Sequence, residues 1–244
     1  MLLLFLLMYI FTQNEPMMKN LIILTVLMAM AMAACSADKT DATLKTGAER
    51  ISEYLPLIGG KTVAVVANQT SMVGKTHLVD TLLSYGADIK VIFAPEHGFR
   101  DLADAGDEIT SGTDPVTGIS VVSLYGAKKK PAAEDLEGID VVIFDIQDVG
   151  TRFYTYLTTM CYVMEACAEN GRQFIVMDRP NPNGFYVDGP ILDTAKYRSF
   201  VGIHPIPVVH GMTVGEYAGM VNGEGWLTGG IECDLAVIKC ENWT

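Results

Sequence analysis

Four times in the 244-residue sequence a short apolar run stops abruptly in a group of polar residues. Val63-Ala64-Val65-Val66-Ala67 meets Asn68-Gln69, and Ile89 to Ala94 meets Pro95-Glu96-His97-Gly98-Phe99-Arg100. Val141 to Phe144 meets Asp145-Ile146-Gln147-Asp148-Val149-Gly150-Thr151-Arg152, and Phe174 to Met177 meets Asp178-Arg179-Pro180-Asn181-Pro182. Continuous apolar runs of this length, alternating with helical patterns, are the mark of parallel strands covered on both faces. Ligands of open α/β sheets sit outside the carboxyl ends of the strands, so the polar groups are expected to converge on one site.

The intervening segments support an α/β fold, a parallel sheet with helices on both faces. Thr76 is placed to cap a helix carrying Leu78, Val79, Leu82 and Leu83, closed by Gly86. Further strands are expected at 119–124, 140–145 and 174–178, with a helix around 132–136 after the solvated turn Lys128-Lys129-Lys130-Pro131. Leu157, Met160, Cys161, Met164 and Ala168 line one face of another helix, ended by Gly171. Thr213 and Glu216 have the spacing of a capping box and open a helix with Val214, Tyr217, Ala218 and Val221. A last strand is expected over 231–239, with no helix after it, an odd place for a domain to end that suggests truncation or a missing C-terminal part.

The first 34 residues have the character of a leader. Met18-Lys19-Asn20, the apolar Leu21 to Met32 and Ala33-Ala34-Cys35 resemble a bacterial lipoprotein signal, with Cys35 as the lipidated first residue and Met17 or Met18 as the start. The alternative is an ordinary signal peptide or anchor with an incidental cysteine. Both place the remainder outside the cytoplasm, the lipoprotein reading on the periplasmic face of the envelope or exported. Residues 35–48 lack apolar periodicity and suit a flexible tether. Loss of the leader removes one Lys and one Glu, so the net charge stays at -12. Such an acidic chain is a poor nucleic-acid binder, which needs cations to neutralise phosphates. Cys161, Cys167, Cys233 and Cys240 fit no zinc or redox spacing; buried thiols are expected, with a disulfide between the pairs as the alternative.

Several chemistries find no fingerprint. Gly74-Lys75-Thr76 lacks the upstream glycine of a phosphate-binding loop, since Gln69 stands there, and no GxGxxG follows the first strand. There is no HExxH and no GxSxG, and the four histidines, His77, His97, His204 and His210, have no ligand-like spacing. No cofactor is implied. What remains at the strand ends is carboxylates, amides and arginines. Glu96, with Asp145, Asp148 or Asp178 as a second carboxylate, is the equipment of glycoside hydrolysis; helix capping is the competing role for each Asp. Three of six arginines, Arg100, Arg152 and Arg179, fall in these groups. A guanidinium fork matches a carboxylate, which points to an anionic ligand, unless each arginine pairs with a neighbouring acid.

These motifs, together with Leu124-Tyr125-Gly126, Arg152-Phe153-Tyr154-Thr155-Tyr156 and His210-Gly211-Met212-Thr213, resemble the exo-β-N-acetylmuramidase family from about Glu49 to the last residue. The resemblance implies a Rossmann-like catalytic domain, here 49–230, followed by a smaller C-terminal subdomain, of which 231–244 is the truncated start, and release of N-acetylmuramic acid from non-reducing ends of peptidoglycan fragments. By the same resemblance Glu96 is the general acid. Asp145 or Asp148 orients the 2-acetamido group or assists water. Asn68, Gln69, His97, Gln147, Asp178 and His210 bind sugar, and Arg100, Arg152 or Arg179 the lactyl carboxylate. The expected partners are thus a peptidoglycan-derived saccharide and, through Cys35, the membrane. The competing possibilities are a lipoprotein that captures such saccharides without cleaving them, and a metal-dependent hydrolase built on Asp145, Asp148 and His97.

Overall fold

The run Val63 to Ala67 becomes the middle of the sheet, in a computed structural model that describes Thr25, residues 43–100 and residues 110–243. Strand β1 (Thr62–Ala67) is followed by a small antiparallel pair, β2 (Met72–Val73) and β3 (Thr76–His77), and then by β4 (Asp88–Ala94). Strands β5 (Gly112–Thr113), β6 (Ser120–Ser123), β7 (Val141–Asp145), β8 (Gln173–Met177) and β9 (Leu235–Ile238) come next. Among the described residues they form a seven-stranded sheet in the order β5-β6-β4-β1-β7-β8-β9. All pairings are parallel except that of β5 with β6. The chain winds outward from β1 through β4 to β6, then returns to the other side of β1 as β7. The β1/β7 junction is therefore the topological switch point where α/β folds place their ligands.

Side-chain parity explains why the runs are continuous. Val63, Val65 and Ala67 of β1 and Val141 and Ile143 of β7 pack with Tyr54 and Ile58 of α1 (Ile51–Ile58) and with Leu78, Val79 and Leu82 of α2 (Leu78–Ser84). The alternate residues Ala64, Val66, Val142 and Phe144 pack on the other face against Leu157, Met160 and Met164 of α3 (Tyr156–Glu169). Tyr217 and Val221 belong to that same face. Each central strand thus contributes apolar side chains to two cores, and truncating one such as Phe144 to Ala costs about 3–5 kcal/mol.

Four sequence expectations are corrected in detail. The cap of α2 is His77, whose Nδ1 accepts from Val79 N at 3.2 Å, one residue later than the expected Thr76. The expected helix near 132–136 is a single 3-10 turn, Ala133–Leu136. The strand expected over 231–239 narrows to β9, which pairs with β8 and completes this sheet rather than opening another subdomain. Finally, the tether ends earlier than residue 48. Leu44–Thr244 is one unit, Ala48 is buried, and Gly47 N donates to Asp178 O at 2.8 Å. Apart from Thr25, the leader, Cys35 and the tether up to residue 42 lie outside the described residues. Cys161, Cys167 and Cys233 are buried free thiols and Cys240 is a partly buried one.

Between β8 and helix α5 (Val214–Gly223) runs a long connection whose one helix is the single turn α4 (Thr194–Tyr197). Isolated bridges tie it down, Thr151 to Val209 and Asp188 to Val209. Arg152 Nη1 fixes it further, donating to Pro190 O at 2.7 Å and Ile206 O at 2.8 Å. This connection brings Phe200 and Val201 over the carboxyl edge of the sheet, where they wall the cleft described next.

Candidate active site

Glu96 stands just past the end of β4, and the turn that presents it is backbone-strained. His97 has φ 71° and Gly98 φ 84°, two successive left-handed residues of which only the second is glycine. A non-glycine in that region costs about 1–3 kcal/mol and is typically retained where function needs the geometry. Glu96 lines a cleft of about 300 Å³ with His97, Tyr125, Tyr154, Thr155, Tyr156 and the rings of Phe153 and Phe200. Thr155 Oγ1 donates to Glu96 Oε2 at 2.7 Å. The Tyr125 phenol is held above its ordinary range, chiefly by the hydrogen bond it gives Glu96. A carboxyl gripped by two hydroxyls beside a wall of aromatic rings matches what a sugar ring requires: apolar faces to stack on and one group to exchange a proton.

At the switch point lie buried polar atoms with no hydrogen-bond partner among the described residues, Asn68 Nδ2, Asp148 Oδ1 and His210 Nε2; Gln69 Oε1 is likewise unpartnered but lines a separate pocket with His77, Asp80 and Arg100. Asn68 spends its Oδ1 on Thr70, N at 2.9 Å and Oγ1 at 2.6 Å. Asp148 spends Oδ2 on Gly150 N at 2.8 Å. His210 Nδ1 accepts from Met212 N at 3.3 Å, so the neutral ring carries its proton on Nε2, which faces Asp148 Oδ2 at 3.9 Å, too far to bond. Tyr156 links the two regions. Its phenol is raised mainly by burial, with Glu96 and Asp148 adding to the effect and the Asn68 amide opposing it. A buried polar atom without a partner costs about 1–3 kcal/mol, and several together mark a place made for a polar ligand.

The other strand-end residues are committed to the scaffold. Asp145 is fully buried and takes both Arg179 Nε at 2.6 Å and Nη2 at 2.9 Å, so it is withdrawn from the catalytic pair expected above. Burial raises its carboxyl above the ordinary value against the pull of the guanidinium. Arg179 is equally spent and gives a further bond to Met72 O. Arg100 forks onto Asp80, at 2.9 and 2.6 Å, and onto Asp114, at 3.1 and 3.2 Å. Of the three arginines expected to meet an anionic group, only Arg152 has no carboxylate partner among the described residues, and its guanidinium lies over the cleft ring of Phe153. Asp178 caps α5 by accepting from Gly215 N and Thr213 Oγ1, and Gln147 Nε2 donates to Asp148 O and Pro180 O. Among the described residues no group of three His, Cys, Asp or Glu side chains is arranged to hold a metal, so Asp145, Asp148 and His97 do not form the metal site of the third possibility.

Sequence reasoning gave no role to seven cleft residues. Tyr125, Phe153, Tyr154, Thr155 and Tyr156 lie inside motifs quoted for the resemblance, and Phe200 and Val201 lie outside them. Phe200 carries no local signal; it reaches the cleft because Tyr162 stacks on it at 6.0 Å.

Comparison with known proteins agrees with this architecture. The chain is 44% identical over 220 residues to the peptidoglycan β-N-acetylmuramidase NamZ of Bacillus subtilis strain 168, in an alignment covering 86% of this chain and 52% of that protein. Two crystal structures of DUF1343 family proteins from Bacteroides fragilis NCTC 9343 superpose on it. One has TM-score 0.74 and 48% identity, covering 83% of this chain and 53% of that one; the other has 0.75 and 39%, covering 82% and 51%. The chain thus spans about half the length of the relatives it matches. Residues 63–244 match the family described as exo-β-N-acetylmuramidase NamZ, N-terminal, and the chain belongs to that family.

Proposed function

We propose that this chain carries the catalytic half of an exo-acting glycoside hydrolase that removes N-acetylmuramic acid from non-reducing ends of peptidoglycan fragments, with Glu96 as general acid. The observation that carries it is the Glu96 carboxyl, gripped by Thr155 and Tyr125 at the mouth of an aromatic cleft on the carboxyl edge of the sheet. Glu96 protonates the departing glycosidic oxygen as the anomeric C–O bond breaks. Asp148, with Asp145 tied to Arg179, is the carboxylate left to orient the 2-acetamido group or the attacking water through its unpartnered Oδ1. Asn68 and His210 supply hydrogen bonds to the sugar, and Arg152 is the cation available to its lactyl carboxylate. The likeness to the Bacillus subtilis peptidoglycan β-N-acetylmuramidase supports the substrate class. The Ala33-Ala34-Cys35 leader extends the proposal to an envelope lipoprotein anchored through Cys35; radiolabelled palmitate incorporation into wild type but not Cys35→Ala tests that part.

The activity is tested with a chromogenic N-acetylmuramic acid β-glycoside and the full-length protein. Turnover by wild type and a loss of about 10²–10⁴-fold in Glu96→Gln is the expected result. Binding of the sugar without turnover in either protein supports capture instead.

A further inference from the structure

Thr155 stands at the N-cap of α3, where a threonine hydroxyl normally accepts a hydrogen bond from the first turn, yet it makes no capping bond. Its Oγ1 donates instead to Glu96 Oε2 at 2.7 Å, across 59 positions of sequence. The residue is 7% exposed and in helical conformation, φ -77° and ψ -13°, whereas the N-caps of α2 and α5, His77 and Thr213, are extended and do cap. A cap is ordinarily a stabilising contact. Here it is forgone for a contact with one carboxylate oxygen at the cleft.

We propose that Thr155 is a positioning residue for Glu96, an inference that rests on the role of Glu96 as general acid. Pinning Oε2 leaves Oε1 as the oxygen that carries the proton toward the glycosidic oxygen. As the proton leaves, negative charge grows on the carboxylate, and a hydroxyl already aimed at Oε2 binds that charge more strongly than it bound the neutral acid. The interaction therefore strengthens along the reaction coordinate, which is the condition for accelerating the step rather than merely holding substrate. Tyr125, which also lines the cleft, hydrogen-bonds the same carboxyl. The helix supplies the rigidity: α3 is anchored by Leu157, Met160 and Met164 in the core, so its first turn holds the hydroxyl in place.

The test compares wild type, Thr155→Ser, Thr155→Val and Glu96→Gln as full-length proteins on two N-acetylmuramic acid β-glycosides, one with a 4-nitrophenyl leaving group and one with a poor alkyl or sugar leaving group. Thr155→Val is expected to lower kcat about ten- to a hundred-fold on the poor leaving group with KM nearly unchanged. It should lose less on 4-nitrophenyl, whose departure needs little protonation, and Thr155→Ser should restore most of the rate. Because no cap is lost, its melting temperature should stay within a few degrees of wild type. Equal losses on both substrates, a rise in KM alone, or no rescue by serine overturns the positioning role. Crystal structures of wild type and Thr155→Val give an independent decision: an unmoved Glu96 carboxyl in the variant overturns the proposal even in a protein that turns nothing over. Inert wild type, by contrast, overturns the proposed activity alone.

Discussion

Asp145 and Arg179 form a bidentate ion pair, 2.6 and 2.9 Å, sealed at the carboxyl ends of β7 and β8 with the carboxylate wholly inaccessible. The pair sits at the switch point, but it faces the scaffold: Arg179 also reaches Met72 O of β2, and Ser71 Oγ donates to Asp145 O. Removing one partner leaves a buried charge alone, which costs about 3–5 kcal/mol. Arg179→Met and Asp145→Asn should each lower the unfolding free energy by that much, read as an earlier urea midpoint, and a double replacement by apolar residues should cost less than the sum. Residual turnover per folded molecule should stay near wild type, which separates this carboxylate from Glu96.

Arg100 tests the same distinction at the edge of the sheet. Its fork satisfies Asp80 and Asp114 together, and lysine cannot span both. Burial works to push the Asp114 carboxyl up, but the Thr117 hydroxyl and Arg100 outweigh it and hold the carboxyl below its ordinary value. A carboxylate depressed in the folded state stabilises above its unfolded pKa, and that contribution disappears as pH falls through the folded one. Thr117→Val should therefore begin acid unfolding at higher pH than wild type. Arg100→Lys should destabilise by roughly 1–3 kcal/mol with KM for the saccharide unchanged. A selective rise in KM would return Arg100 to the substrate.

Much of the scaffold was legible in the sequence and much of the side-chain partnering was not, for a physical reason. Strands β1, β7 and β8 announce themselves because both their faces are buried, and β4 does so from Val91 onward, after the alternation Asp88-Ile89-Lys90. β5 is two exposed residues and β9 only partly buried, so neither edge carries a comparable signal. The location of the site was likewise visible at the strand ends. What Arg100 and Arg179 do there was not, since their acids lie 20, 14 and 34 positions away and meet them only through the sheet. Thr155 is the sharper case: it occupies the N-cap position of α3, and tertiary placement turns its hydroxyl to Glu96.

His204 sets a pH dependence of stability. The ring is buried, with Nδ1 2.7 Å from Tyr217 Oη, and burial drives its pKa down to about 4 from an ordinary 6.5. The unfolded chain then binds a proton between those values that the folded one refuses, so stability falls as pH drops from about 6.5 towards 4. The slope is about 1.4 kcal/mol per pH unit. Urea unfolding of wild type from pH 7 to pH 4.5 should show this loss, and His204→Asn should flatten that part of the curve whatever its stability at pH 7. A slope unaltered by the substitution would assign the titration to another group.

Two glycines separate close backbone approach from mere helical flexibility. A Cβ on Gly47 would lie 2.2 Å from Ile238 O and 2.6 Å from Asp178 N, both main-chain atoms held by the β8–β9 pairing and unable to move aside. On Gly219, inside α5, a Cβ would meet nothing within 4 Å. Gly47→Ala should therefore cost about 3 kcal/mol or more, the upper range for overpacking. Gly219→Ala should gain about 0.5–1 kcal/mol, because alanine loses less backbone entropy in a helix. Thermal melts of the two variants should move in opposite directions. The Gly47 result also bears on the tether: if residues up to 48 were an unattached linker, alanine at 47 would change nothing, whereas a large loss means that the chain is locked onto the sheet from Lys45 onward, where Lys45 and Glu241 exchange backbone hydrogen bonds of 3.0 and 2.8 Å.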